Sequence, residues 1–146
     1  IMKLYHTSPT KIEKINRSGL FDDCLFFSTD VYQMSISECV VYSIDASKLT
    51  FIDAYDLHDD EIIDGICKDF SIDRELAEAL LDGSDSVYDY NFVCDDEKAD
   101  TDWEFQALRA KCAKKMGYDG CRDRDEQGSV YIIPMFARES LLILEG

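Results

Sequence analysis

Short strand-like segments lie at both ends of the chain, and longer helical patterns lie between them. The strand patterns cover residues 3–7, 25–28, 40–44, 51–52, 120–124, 129–134 and 140–144. Two of them flank the turn-forming run Asp125-Glu126-Gln127-Gly128, so they should pair as an antiparallel hairpin. Strands do not alternate regularly with helices, as a parallel sheet would require. We therefore predict an α+β fold on antiparallel sheet, as a single domain over residues 1–146.

Apolar residues at helical spacing predict five helices: 9–18, one through Met34 and Ile36, 59–70, 72–81 and 101–116. The last helix has a capping box, in which Thr101 is the N-cap and Glu104 follows three residues later. Glycines stand just after three of the predicted helices, at positions 19, 83 and 117. Such glycines are typical of helix C-termini, because the residue there adopts a left-handed conformation.

The middle of the chain is strongly acidic. Between Asp53 and Asp102 there are 18 acidic and three basic residues, a net charge of −15, whereas the two flanks together carry −1. The two helices predicted there are amphipathic, so we expect residues 53–102 to form a folded, acidic helical insert. The net charge of −16 for the whole chain opposes direct binding to nucleic acid phosphates.

Other sequence signals point away from membranes and metals. The chain has no apolar run of the roughly 18–20 residues that cross a bilayer and no secretory signal pattern, so we expect a cytoplasmic protein. The six cysteines form no C-x-x-C pair and have no nearby histidines. We therefore expect no metal site and no disulfide framework.

The first strand ends in a run of hydrogen-bonding side chains, His6, Thr7 and Ser8, followed by Pro9. Because proline ends the strand, these side chains lie where a scaffold can present them to a ligand. A solvated strand tip is the structural alternative, since a single histidine is more often structural than functional.

Several motifs resemble those of the ADP-ribosyltransferases. Tyr5-His6-Thr7-Ser8 and Leu25-Phe26-Phe27-Ser28 are similar to the first strand and the pocket strand of the diphtheria-toxin and poly(ADP-ribose) polymerase branch. Residues 103–109, 116–118 and 125–128 resemble the C-terminal part of the type I-F anti-CRISPR mono-ADP-ribosyltransferases. The resemblance implies split antiparallel β-sheets with flanking helices and NAD as the substrate. It also implies a protein target such as a CRISPR effector subunit, in the cytoplasm of a bacterial host if the chain is phage-encoded.

The resemblance assigns the NAD-binding residues one by one. His6 would hydrogen-bond a ribose hydroxyl, and Thr7, where relatives usually have glycine, would offer backbone groups to the nicotinamide carboxamide. Phe27 and Ser28 would line the floor of the nicotinamide pocket, and Tyr32 would stack on the ring. For Phe27 the alternative is an ordinary core residue, because aromatic side chains mostly bury area.

The catalytic acid is less directly indicated. Most of the superfamily has a glutamate immediately before a Tyr-Ile/Val-Val strand, but Val130 occupies that position here. The anti-CRISPR relatives instead match with an aspartate in the hairpin, which corresponds to Asp125. We therefore predict Asp125 as the catalytic acid, with Glu126 and Asp123 as alternatives. All three residues are also typical of a solvated turn.

Two functions remain open at this stage. One is an NAD-dependent mono-ADP-ribosyltransferase that modifies a protein and so inactivates a CRISPR surveillance complex. The other is an inactive protein that has kept the fold and uses its acidic face as a docking surface or nucleic-acid mimic, which Val130 and the acidic middle favour.

Overall fold

A computed structural model describes residues 2–9, 11–15, 23–31, 39–125 and 128–145. The strands in these ranges are β1 (Lys3–Ser8), β2 (Cys24–Phe27), β3 (Val40–Asp45), β4 (Phe51–Asp53), β5 (Gly120–Asp125), β6 (Gly128–Pro134) and β7 (Ile143–Leu144). The α-helices are α1 (Asp60–Phe70), α2 (Arg74–Asp82) and α3 (Lys98–Lys115). Short 3₁₀ turns cover Ala54–Asp56, Val87–Asp89, Asp95–Glu97 and Glu139–Leu141.

The strands form two separate sheets. One has the order β1-β3-β7 and the other β2-β6-β5-β4. All neighbours pair antiparallel except β4 and β5, which run parallel. The predicted α+β class with split sheets is confirmed, and the parallel β4–β5 pair is an addition that the sequence pattern did not indicate.

The two sheets and the helices stack as three layers. Residues of both sheets, among them Leu4, Ile44, Phe27 and Ile133, share one apolar cluster, which therefore lies between the sheets. A second cluster joins the other face of the four-stranded sheet to the three helices. Strand β6 is buried from position 130 to 134 because layers cover both of its faces, which explains its unbroken apolar sequence.

The helices of the acidic insert are set by local capping signals. Asp59 and Asp73 are the N-caps of α1 and α2, and their carboxylates accept the backbone N–H groups of Ile62 and Leu76. Gly83 ends α2 with a φ of +80°, as its position predicted. Both helices place buried side chains in the helix-side cluster, so the insert contributes to the core of the fold.

The helix predicted over residues 9–18 is wrong in part. Residues 11–15 are not helical, because the Ile12 N–H donates to Tyr42 Oη at 2.8 Å and the Ile15 N–H to Glu139 Oε1 at 2.8 Å. Partners far along the chain thus replace the helical carbonyls that would otherwise accept these groups. Pro9 lies in a bend, whereas residues 10 and 16–18 and the helix predicted through Met34 and Ile36 lie outside the described residues.

Helix α3 begins four residues earlier than the capping box indicates, since its N-cap is Glu97 rather than Thr101. Thr101 lies inside the helix, where its hydroxyl donates to the Glu97 carbonyl at 2.9 Å. The acidic 3₁₀ turn Asp95–Glu97 leads directly into the helix, and negative charge is favourable at a helix N-terminus.

The last strand is also shorter than predicted, since a 3₁₀ turn occupies Glu139–Leu141. In the described ranges, no helix has both the length and the apolar character that a membrane crossing needs.

Candidate active site

The two sheets meet where β1 passes the end of β2. The Tyr5 N–H donates to the Ser28 carbonyl at 2.8 Å, and the Ser28 N–H donates to the Tyr5 carbonyl at 2.9 Å. This pair of backbone hydrogen bonds, which we call the seam, brings His6 beside Phe27, with 5.7 Å between their ring centroids. The two motifs that resembled the NAD-binding strands are therefore adjacent in the fold.

A pocket of about 170 Å³ opens at the seam. Its size is close to that of a cavity of about 150 Å³ that accepts benzene, so it suits one aromatic ring rather than a whole dinucleotide. Four of the five predicted NAD-binding residues line it: His6, Thr7, Phe27 and Ser28. The fifth, Tyr32, lies outside the described residues.

His6 is fixed as a hydrogen-bond acceptor toward a ligand. Its Nδ1 lies 2.8 Å from the Phe26 carbonyl oxygen, which can only accept, so Nδ1 carries the proton. Burial lowers the pKa of His6 below its ordinary value of 6.5, although the Phe26 carbonyl favours the protonated form. The imidazole is therefore neutral at pH 7, and its Nε2 has a lone pair that can accept a hydrogen bond from a hydroxyl.

Phe27 and Ser28 each have a structural role as well. Phe27 is 1% exposed and belongs to the core between the sheets, so the core interpretation and the pocket interpretation both apply to it. The Ser28 hydroxyl donates to the Asp30 carbonyl at 2.5 Å, which orders the chain after β2. Its backbone groups hold the seam, so what Ser28 can still offer a ligand is the lone pairs of its hydroxyl oxygen.

The hairpin β5–β6 borders the same pocket through Val130. Val130 is 8% exposed and lines the pocket, so the position at which most of the superfamily has glutamate is an apolar wall here. Val130 pairs with Asp123 across the hairpin, and Asp125 pairs with Gly128. The backbone of position 125 is thus two residues, or about 7 Å of strand, beyond the pair that borders the pocket. Glu126 lies outside the described residues.

Both carboxylate oxygens of the third candidate acid, Asp123, are engaged by the fold. Oδ2 accepts from Arg109 Nη1 at 2.8 Å, and Oδ1 accepts the Arg124 N–H at 2.8 Å. Sequence reasoning did not single out Arg109. The sequence feature that could have indicated its burial is that Arg109 lies between the apolar residues Leu108 and Ala110 of the predicted helix.

Within the described part of the chain, no group of three histidine, cysteine, aspartate or glutamate residues is placed to hold a metal ion. The polar groups around the pocket are instead an imidazole, hydroxyls and backbone amides. Such a set can bind a neutral ring and sugar hydroxyls by hydrogen bonds.

Split sheets that meet at a single-ring pocket, with helices on the outer face, define an ADP-ribosyltransferase-like fold. The chain matches the family described as "Anti-CRISPR Type I-F ADP-ribosyltransferase AcrIF11" over residues 2–138. It therefore belongs to that family.

A solved structure supports the same relationship. This chain is 25% identical to a protein described as "Crystal structure of an anti-CRISPR protein", with a TM-score of 0.55. The similarity covers 90% of this chain and 88% of the other. No curated protein matches the chain.

Proposed function

We propose that this protein is an NAD-dependent mono-ADP-ribosyltransferase that modifies a protein of a CRISPR surveillance complex. One observation carries the proposal: His6, Thr7, Phe27 and Ser28, from two strands about twenty residues apart, line one pocket of single-ring size. The family and the similar anti-CRISPR structure support the kind of partner. The net charge of −16 favours a protein over a nucleic acid as that partner.

In this proposal the pocket holds the nicotinamide ring, and the rest of NAD lies outside it. The neutral Nε2 of His6 accepts a hydrogen bond from a ribose hydroxyl, because Nδ1 is already engaged by Phe26. Thr7 offers backbone groups to the carboxamide, and Tyr32 stacks on the ring. Phe27 provides apolar surface beneath it.

The reaction breaks the bond between the ribose C1′ and the nicotinamide nitrogen, and nicotinamide leaves with the bonding electron pair. The ribose then develops positive charge in an oxocarbenium-like transition state. A carboxylate at position 125 would oppose that charge and take the proton from the acceptor group as its new bond to C1′ forms. Glu126, the next residue, is the second candidate for this role.

The test is release of nicotinamide from NAD by the purified chain, with and without a CRISPR effector complex from a type I-F system. We expect release, together with transfer of an adenine-labelled ADP-ribose to one protein subunit. Asp125→Asn should stop both while leaving the thermal unfolding transition in place. Asp45→Asn is the matched control, because Asp45 is a carboxylate at the end of a strand of the other sheet and accepts hydrogen bonds from Ser47 in its own turn. Absence of release by the wild-type chain would overturn the proposal.

The second candidate is a binding protein that has lost the chemistry. Val130 favours it, since a valine lines the pocket where most of the superfamily has glutamate. This candidate predicts salt-sensitive capture of a basic partner that persists without NAD and after Asp125→Asn. The two candidates differ in their need for NAD. The transferase labels its partner only when NAD is present, whereas the binding protein captures its partner with or without NAD.

A further inference from the structure

Arg109 is a buried arginine that joins three elements. Arg109 is 7% exposed, and its guanidinium makes hydrogen bonds in three directions. Nε donates to the Leu81 carbonyl at 3.0 Å and Nη2 to the Leu80 carbonyl at 2.9 Å, while Nη1 donates to Asp123 at 2.8 Å. One side chain of α3 therefore fixes both the C-terminal turn of α2 and the second half of β5.

The carbonyls that Arg109 binds need such a partner. The last four carbonyls of a helix have no intrahelical donor, and Leu80 and Leu81 lie in the last turn of α2. The planar guanidinium bonds two carbonyls and a carboxylate through three different nitrogens in a fixed fork, whereas the three acceptors would have to converge on the single nitrogen of a lysine. The contact to Asp123 is thus held in a fixed geometry from the helical side.

Asp123 transmits this constraint to the hairpin. Its carboxylate is 13% exposed, and both of its oxygens are engaged, one by Arg109 and one by the Arg124 N–H. It lies opposite Val130, which borders the pocket, and two residues before Asp125. The anchor is therefore placed between the helices and the end of β5 that leads to position 125.

We propose that Arg109, acting through Asp123, is a positioning residue that fixes the end of β5, and with it the backbone of position 125, relative to the pocket. The proposal rests on the proposed function for the role of Asp125. Misplacement by about 1 Å can cost about a hundredfold in rate, so a loosened anchor should lower kcat without removing any group that touches NAD. The assignment also removes Asp123 from the candidate acids.

The chain offers a matched control at the other end of the same strand. Arg138 Nη2 donates to Asp119 at 3.0 Å, and Asp119 immediately precedes β5. This is also an arginine–aspartate pair, with the arginine side chain 31% exposed. It anchors the start of β5, six residues from position 125, so its loss should loosen the strand away from the pocket.

The experiment compares Arg109→Lys with Arg138→Lys by three measurements: kcat and KM for nicotinamide release, thermal unfolding, and amide hydrogen exchange in the hairpin. For Arg109→Lys we expect kcat to fall about 10- to 100-fold with little change in KM. We also expect amide exchange at 123–125 and 128–130 to be about tenfold faster. Arg138→Lys should leave both readouts unchanged. Equal effects of the two variants, or an unchanged kcat and unchanged exchange in folded Arg109→Lys, would overturn the proposal.

A second variant covers the case in which Arg109→Lys does not fold. Asp123→Asn keeps the shape of the side chain and an oxygen that can accept from Arg109, so it weakens the anchor without leaving space. The same fall in kcat and the same faster exchange are expected from it. If the wild-type chain releases no nicotinamide, the proposed function fails, and the exchange measurement still decides whether Arg109 positions the hairpin.

Discussion

The pocket at the seam and the acidic segment 53–102 solve different physical problems. The pocket has few charges, and its geometry depends on backbone hydrogen bonds and on a half-buried histidine that is kept neutral. The acidic segment carries a net charge of −15, yet it forms two capped helices that help to build the core. The acidic segment is the more conspicuous of the two in the sequence, and in the structure it contributes to the core of the fold.

Part of the charge of the acidic segment is neutralised within the fold. Arg74 contacts Asp60, Asp64 and Glu78, and Lys115 of α3 contacts Asp59 and Glu61. These pairs are largely exposed, so each contributes little to stability, but they reduce the field that the segment presents to a partner. A count of acidic residues thus overstates how strongly this surface can attract a basic protein.

The largest expected effect is on nicotinamide release, which should depend on position 125 and not on the acidic segment. Asp125→Ala should lower nicotinamide release by about 10²- to 10³-fold, the usual cost of removing one group that stabilises transition-state charge. The triple variant Asp56→Asn, Asp69→Asn, Glu75→Gln removes three exposed carboxylates from the acidic segment and should leave release unchanged. Initial rates at saturating NAD measure both. A large loss in the triple variant would show that the acidic segment takes part in the chemistry.

The second prediction concerns the structural role of the acidic segment. Leu80 of α2 is fully buried, so Leu80→Ala should lower the free energy of unfolding by about 2–5 kcal/mol. Because the segment shares its core with the four-stranded sheet, unfolding should remain a single transition. Urea denaturation followed by far-UV circular dichroism and by tryptophan fluorescence measures both. Leu144→Ala is the control, since Leu144 is half exposed and should cost less than about 0.5 kcal/mol.

The two histidines allow a comparison of the regions by a single substitution each. In the proposed function, His6→Ala removes one hydrogen bond to NAD, and since such a bond contributes about 0.5–1.5 kcal/mol, KM for NAD should rise by up to about tenfold. His58→Ala, in the acidic segment, removes an exposed imidazole that contacts Asp60 and should leave KM unchanged. Steady-state kinetics over a range of NAD concentrations measures KM for both variants. Equal KM values for the two variants would remove His6 from the NAD site.

The smallest expected effect is a pH dependence of stability that comes from His6. Its pKa in the folded state lies below 6.5, so below pH 6.5 the unfolded state takes up a proton first and the folded state loses stability as the pH falls. Well above pH 6.5 the imidazole is neutral in both states, so His6 no longer makes the free energy of unfolding depend on pH. His6→Gln should lack this part of the pH dependence. Denaturant midpoints between pH 5 and 8 for both proteins measure the difference, and parallel curves would contradict the assignment.

Local signals in the sequence predicted much of the fold. The end of α2 at Gly83 and the hairpin around 125–128 depend on residues within a few positions of each other, and the structure has both as predicted. The predicted helix at 9–18 failed over residues 11–15 because Tyr42 and Glu139 bind backbone groups there. No local pattern could report partners 30 and 124 residues away.

In the candidate site, too, some residues were predicted from the sequence and others were not. His6, Thr7, Phe27 and Ser28 were predicted because the motifs resemble a family, and the pocket confirms only that they are neighbours. The roles of Asp125, Glu126 and Tyr32 stay predictions. The Arg109–Asp123 pair was not predicted, because it joins a helix to a strand, and the apolar neighbours of Arg109 indicate at most that it is buried and not which residue it pairs with.

The seam between the sheets consists of main-chain atoms alone. Most substitutions at Tyr5 or Ser28 would keep both hydrogen bonds, so the identities of these two side chains are open to change without loss of the junction. Proline at position 28 is the exception, because it has no N–H to donate to the Tyr5 carbonyl. A lineage of such proteins can therefore alter the lining of its ligand cavity extensively while the two sheets stay joined at the same place.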